Sequence, residues 1–320
     1  MKGVKKILIK NNSALAGVIE ALLLVGLVAI ILSTIQLVYI PEIMKQKESS
    51  HLDEVENQFA QLKSVIDTQS MMGVMQSDEA IAYSPMFSPI KLGTKKLPYF
   101  VTSDILGEIR IIDNEESNSE IEVTPSISED EYINGIPLTS VKYTYYSMYQ
   151  NKINRFYYIY EGGGVISNQT GAKNYTGEVM KVNPPITIEN NSGIIEIYYY
   201  IPVFKCPSGK DYVGRLINNA YIRTNYTNHV KHTTPPDTLT DPNHHYIKIY
   251  SNYLDAWYNS FMDNRIGMLW EYEKNNYIDV EYYNQVTPPY IKISPDNWDI
   301  DLDFTIVEIG IQTGSGTVIS

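Results

Sequence analysis

The chain has 320 residues, enough for one sizeable domain or two small ones with a real core. Its net charge of −12 and the absence of a basic patch beyond the first few residues argue against nucleic acid as a partner. A single cysteine, Cys206, excludes an intramolecular disulfide and any metal site built from several thiolates.

Lys2, Lys5, Lys6 and Lys10 are the only charges before Glu20. From Ala14 to Ile40 nearly every residue is apolar. As a helix this run is roughly 40 Å long, more than the hydrocarbon core of a bilayer requires. It is too long for the apolar core of an ordinary secretory signal, and no small-residue cleavage site follows it. The leading lysines favour a cytoplasmic N-terminus, so everything after Tyr39 is expected outside the cell. Glu20 is the anomaly, because a carboxylate in lipid is costly unless it reaches headgroups or finds a partner.

Lysines, a short polar stretch, small residues, a glutamate and then a long apolar helix resemble the class III signal of type IV pilins, in the form found in archaeal type IV pilin-like surface proteins. In that family a prepilin peptidase removes the leader, and the apolar helix stays in the mature protein. The resemblance implies a leader over residues 1–15 with a cut between Leu15 and Ala16, which makes Glu20 the fifth mature residue. A cut after Gly17 would make it the third. The family's charged residue–Gly pair before the cut is absent here. The resemblance also implies an assembly role for Glu20, whose counter-charge would be the freed α-amino group of a neighbouring subunit. Desolvated opposite charges of this kind fix register between packed helices.

Residues 37–69 resemble the linker and amphipathic helix that follow in such proteins. Leu52, Val55, Phe59, Leu62 and Ile66 recur at helical spacing and line one face. That stripe could pair with a second helix as a coiled coil or pack on the chain's own domain. Pro41 is expected to bend or break the helix near the membrane surface.

From residue 70 the period changes to short Tyr-, Ile-, Val- and Thr-rich runs between Gly, Pro, Asn and Asp turns. Strands are expected over 107–112, 140–149, 155–166, 193–204, 245–250, 278–286 and 297–313. YEGGGVIS, residues 160–167, reads as a hairpin turn, since a phosphate loop would need a lysine and a helix after it. Residues 251–263 put Leu254, Trp257, Tyr258 and Phe261 on one face of a short helix. The fold class is therefore α+β: a long N-terminal hydrophobic helix and the amphipathic helix after it over residues 16–69, then a mainly antiparallel β-sandwich over 70–320 with one short inserted helix.

Chemistry is sparse in this sequence. His229, His232, His244 and His245 sit in loop-like sequence flanking a Pro-rich segment that holds Asp237 and Asp241, but no HExxH motif occurs and no metal or cofactor is expected. The row Asp299, Asp301, Asp303 lacks the turn glycine and final glutamate of a calcium loop and reads as the charged outer face of a strand. No G-x-S-x-G occurs, and Cys206 has no histidine near it in sequence, so an enzyme is not expected. Asn168, Asn174, Asn190 and Asn225 begin N-x-S/T sequons and are candidate glycosylation sites on an external domain. The 27 tyrosines suit half-buried strands, and exposed rings would also suit contact with a surface or glycan.

The expectation is a pilin-like cell-surface subunit with structural or adhesive work. It would be held by the membrane or by homo- or hetero-oligomeric partners through its N-terminal helix. The alternatives are an uncleaved single-span anchor presenting a monomeric binding module and an ectoenzyme.

Overall fold

The computed structural model describes residues 4–75, 85–93, 107–113, 117–124, 135–147, 155–170, 177–191, 193–206, 212–216, 219–233 and 246–315, and side chains in the first helix from Leu15 onward. Asn174, Asp237, Asp241, His244 and His245 lie outside these residues.

The chain begins as one long helix. Helix α1 (Val4–Thr34) runs into a single π-helical turn (Ile35–Tyr39) and continues as α2 (Ile40–Met75). Pro41 does not break it. In a regular α-helix the proline ring would collide with the Leu37 carbonyl and leave it without a donor. The wider turn, in which Ile40 N–H reaches Ile35 O, accommodates that conflict and lets the helix continue.

Sixteen strands are described: β1 (Met86–Lys91), β2 (Gly107–Ile112), β3 (Glu120–Thr124), β4 (Ile136–Pro137), β5 (Ser140–Tyr146), β6 (Arg155–Glu161), β7 (Gly164–Thr170), β8 (Val179–Val182), β9 (Ile186–Asn191), β10 (Ile194–Lys205), β11 (Tyr212–Leu216), β12 (Asn219–Thr233), β13 (Tyr246–Tyr250), β14 (Ile278–Tyr283), β15 (Tyr290–Pro295) and β16 (Asp299–Ser315). Between β13 and β14 lie two short helices rather than the one expected, α3 (Leu254–Met262) and α4 (Trp270–Lys274). The strands form three sheets in the orders β1-β12-β16-β10-β9, β11-β2-β5-β6-β7-β8 and β14-β15-β13-β3-β4. Every pairing is antiparallel except the long β10–β16 ladder. The expected hairpin after β6 is tight. Gly162 and Gly163 have φ of +55° and +81°, the left-handed backbone that a two-residue hairpin needs and that glycine alone adopts without strain.

Two apolar cores share the first sheet, because its long strands change the face they bury. Successive strand residues point to opposite sides. In β16, Ile300, Leu302, Phe304 and Ile306 enter one core, whereas Val307, Ile309 and Ile311 enter the other. In β10 the same switch separates Ile201 and Val203 from Phe204.

One core is built around α2. Val55, Phe59, Leu62 and Ile66 are fully buried, sharing that core with Ile109, Val141, Tyr143 and Tyr160 of the second sheet and Ile90, Ala220, Ile222, Val307 and Ile309 of the first. The helical stripe is thus spent on the chain's own β-domain, which overturns a coiled coil as its use. The other core joins β10 and β16 to the third sheet and α3, with Trp257 and Phe261 inside. It holds a small, wholly apolar cavity between Ile121, Ile197, Phe261 and Phe304.

Contacts along α2 order these cores. Lys91 N–H donates to Gln58 Oε1 at 2.9 Å, and Gln69 Nε2 donates to Thr224 O at 3.0 Å. Farther along, Gly73 lies so close to the Tyr226 ring that a Cβ there would come within 2.2 Å of it. Lys91 pairs with Asn219, so β12 starts beside the middle of α2 and runs on to Thr233, past the helix end. The α2 core is therefore proximal to α1, and the α3 core is distal.

Phe59→Ala is expected to lower the unfolding free energy by about 3–5 kcal/mol, the usual cost of truncating a buried phenylalanine. Leu23→Ala, at a site that packs on nothing in the domain, should leave it unchanged. Denaturant titration of the full chain in detergent micelles reads both.

Candidate membrane anchor and its seat in the β-domain

Leu15–Tyr39 carries the apolar run, and among these residues only Ile35 is even partly covered. Leu23 is 69% exposed and Leu37 77%. Covering each such side chain is worth about 1.5–3 kcal/mol. Summed over the run, this exceeds the whole net stability of a typical domain, about 5–15 kcal/mol, so water is not the environment this surface is built for. At 1.5 Å per residue the segment is about 37 Å long. It is the one described helix long and apolar enough to cross a membrane. Glu20 is exposed on it, among Leu22, Leu23 and Leu24 on the following turn. The backbone is helical across Leu15, Ala16 and Gly17, and all three are exposed.

Burial starts where this segment stops. Ile40 is half-buried against the proximal core, and Met44 is 1% exposed. No stalk intervenes. The apolar segment and the first turn of the domain are the same helix, and the π turn marks the boundary.

Polar groups pin α2 from within the proximal core. Ser147 Oγ donates to the buried carboxylate of Glu48 at 2.6 Å. Tyr143 OH donates to Leu92 O at 2.8 Å, so its oxygen accepts from His51 Nε2 at 2.9 Å. That assigns the His51 proton to Nε2 and leaves Nδ1 buried without a partner. Burial, reinforced by the positive charge of Lys91, lowers the His51 pKa from 6.5 to about 4 against the opposing pull of Glu54. Outside the core, ion pairs Lys91–Glu54 at 2.6 Å and Lys181–Glu56 at 3.1 Å span helix and sheet. Both are half-exposed and contribute little energy, about 0–1 kcal/mol each.

The distal core holds the opposite kind of group. Glu161, at the end of β6, is 2% exposed and accepts from Ser251 Oγ at 2.5 Å and Trp257 Nε1 at 3.0 Å. Burial raises its pKa to about 6, although these donors, Ser119 and Lys142 all favour the charged form. Beside it, Glu178 accepts from the Asp255 backbone amide in the first turn of α3 and from Asn168 Nδ2 at 3.0 Å. Burial and the neighbouring Asp255 charge push Glu178 up to about 7. Tyr282 OH donates to Asp255.

The remaining sequence candidates scatter. His229 and His232 lie on β12, paired with Val307 and Phe304, not in a loop. Residues three apart on a strand face opposite sides, so these two cannot grip one ion together. Among the described residues no three His, Cys, Asp or Glu side chains gather as a metal site. Asp303 meets Lys231 at 2.8 Å on the outer face of β16, while Ile300, Leu302 and Phe304 point inward. Asn168 and Asn225 are half-buried, and Asn190 is exposed.

On the outer face of the third sheet, residues line up across strands. Glu120, Tyr250, Tyr290 and Tyr283 form one row, and Glu122, Lys248, Lys292 and Glu281 the next. Tyr283 and Tyr290 stack at 4.7 Å, and Lys248 sits over the Tyr246 ring at 4.7 Å. The ring faces are turned largely toward one another and the lysines.

The two cores should respond oppositely to pH. Between pH 6.5 and 4 the unfolded chain protonates His51 while the fold does not, so the α2 seat weakens as pH falls through that window. Between pH 4.5 and about 6–7 the fold retains protons on Glu161 and Glu178 that the unfolded chain has lost, so the α3 seat weakens as pH rises. Hydrogen exchange of residues 44–66 and 254–262 across pH 4–7.5 reads each seat separately. His51→Gln should flatten the first dependence only, and Glu161→Gln should reduce the second only. No known protein family, no curated protein and no solved structure matches this chain.

Proposed function

We propose that this chain is a pilin-like cell-surface subunit whose apolar N-terminal helix inserts in the membrane and packs against like helices in an assembly. The β-domain would face outside. The observation that carries this reading is the exposed apolar segment Leu15–Tyr39, continuous with a helix locked inside the β-domain. A helix fixed in this way transmits the position of its packed N-terminal half to the whole domain. A flexible tether would not. The basic residues before it orient it with the domain outside. Glu20 fits the assembly role: a freed α-amino group on a neighbouring subunit would neutralise it within the helix bundle. The distal end, with the Tyr/Lys/Glu face of the third sheet, is then the part held farthest from the anchor and the candidate contact surface.

One observation favours the second reading, an uncleaved single-span anchor presenting a monomeric module. The apolar stripe of α2 is consumed within the chain, so only the segment up to Tyr39 is left for helix–helix contacts.

The mass and N-terminal sequence of the protein from native membranes separate the two. A start at Ala16 or Val18 supports the pilin-like subunit, and a start at Met1 or Lys2 supports the simple anchor. Glu20→Gln should cut the yield of assembled complexes several-fold on velocity sedimentation with the β-domain still folded. Unchanged assembly would remove Glu20 from the mechanism.

A further inference from the structure

Of the four sequons, three place their asparagine within the described residues, and the fold treats those three differently. Asn168 sits within β7, opposite Tyr157, and is half-buried. Its Nδ2 donates to Glu178 Oε1 at 3.0 Å, and its Oδ1 is buried. The nitrogen that would be modified is thus tied to the carboxylate that caps α3. Asn225 lies half-buried on β12 across from Gly310, with its Oδ1 only 2.9 Å from where a Cβ on Gly310 would stand. The hydroxyl residue of its sequon, Thr227, already donates to Glu308 O at 2.9 Å. A sugar on Asn168 would break its bond to Glu178, and one on Asn225 would displace a half-buried amide packed over Gly310 in the middle of the first sheet.

Asn190 is the contrast. It is exposed near the end of β9, where Gly193 at φ +96° turns the chain into β10. It pairs with Ile195 at the start of β10, and Ile195 pairs in turn with Ile300 near the start of β16, which places it at the distal end of the long strands. β9 is also the edge of the first sheet. An edge strand offers unpaired backbone groups to other chains, and proteins cover such edges with charge or bulk. The outward residues of β9 include one charge, Glu189.

We infer that Asn190 is the N-glycan attachment site among these three and that the glycan shields the β9 edge. The inference rests on the external placement in the reading above. In the transfer, Asn190 Nδ2 attacks C1 of the reducing-end sugar of a lipid-phosphate-linked oligosaccharide. The C1–O bond to phosphate breaks, the lipid phosphate leaves with that electron pair, and the amide nitrogen gives up one proton. No oxidant or reductant is needed.

The test is glycopeptide mass mapping of the full-length protein from native membranes, alongside Asn190→Gln and Asn168→Gln variants and protease treatment of intact cells. The expected result is a glycan on the peptide holding Asn190, bare peptides holding Asn168 and Asn225, and loss of one glycan mass in Asn190→Gln but not in Asn168→Gln. A bare Asn190 peptide overturns the inference. If protease still removes the domain from intact cells in that case, the external reading survives and only this site fails. If the domain is protected as well, both fail. A glycan on Asn190 in a protein that starts at Met1 upholds this site while removing the pilin-like processing.

Discussion

The burial of α2 between two sheets is the interaction on which the rest of the structure depends. Its stripe from Leu52 to Ile66 is sealed on one side by the second sheet and on another by β1, β12 and β16. Because α2 and α1 are one helix, that burial also fixes where the exposed apolar segment emerges and leaves no linker between them. A shift of the stripe by one residue would turn it by about 100° and strip the apolar cover from both sheets. The polar pins at Glu48, His51 and Gln69 add register, since the first two meet Ser147 just past β5 and Tyr143 on β5, and the third meets Thr224 on β12.

The long strands extend this constraint to the far end of the domain. β10 and β16 each bury one face against the third sheet and α3 and the opposite face against α2. A strand can do this only by having apolar residues on consecutive positions where the switch occurs, as at Ile306 and Val307 in β16 and Val203 and Phe204 in β10. The parallel pairing of these two strands keeps their switches within two residues of each other, with Val203 opposite Glu308 and Pro202 opposite Val307. Two cores therefore form one body without a separate hinge strand.

Each core has a buried ionisable group of opposite character at its helix. Burial favours the neutral form of both, and for a histidine that means loss of affinity for protons, for a glutamate the reverse. The helix seats are thus held by the same physical effect yet weaken in opposite directions along the pH scale. That contrast belongs to the packing: Glu48 and His51 lie four residues before Leu52 and Val55 on the stripe's own spacing, but only the strands laid over them seal them in, and nothing local marks Glu161 as an interior residue.

Much of the architecture was legible in the chain itself. The change from helical to alternating period near residue 70, the stripe of α2, the Gly162–Gly163 turn and strands such as Gly107–Ile112 follow from local spacing, because a half-buried element must repeat its apolar residues at its own period. β12 was not legible. Its sequence NAYIRTNYTNHVKHT is polar, and it becomes a central strand only because β1 and β16 flank it. The same limit hid the interior position of Glu161 and made His229 and His232 look like loop residues. By itself the sequence determined that an apolar helix long enough for a bilayer leads into a β-rich domain, since length and hydropathy are local properties. Only the tertiary structure decided that α2 is consumed inside that domain, which of three sequons is open to solvent, and which polar groups are buried, since burial depends on what distant segments bring to the same place.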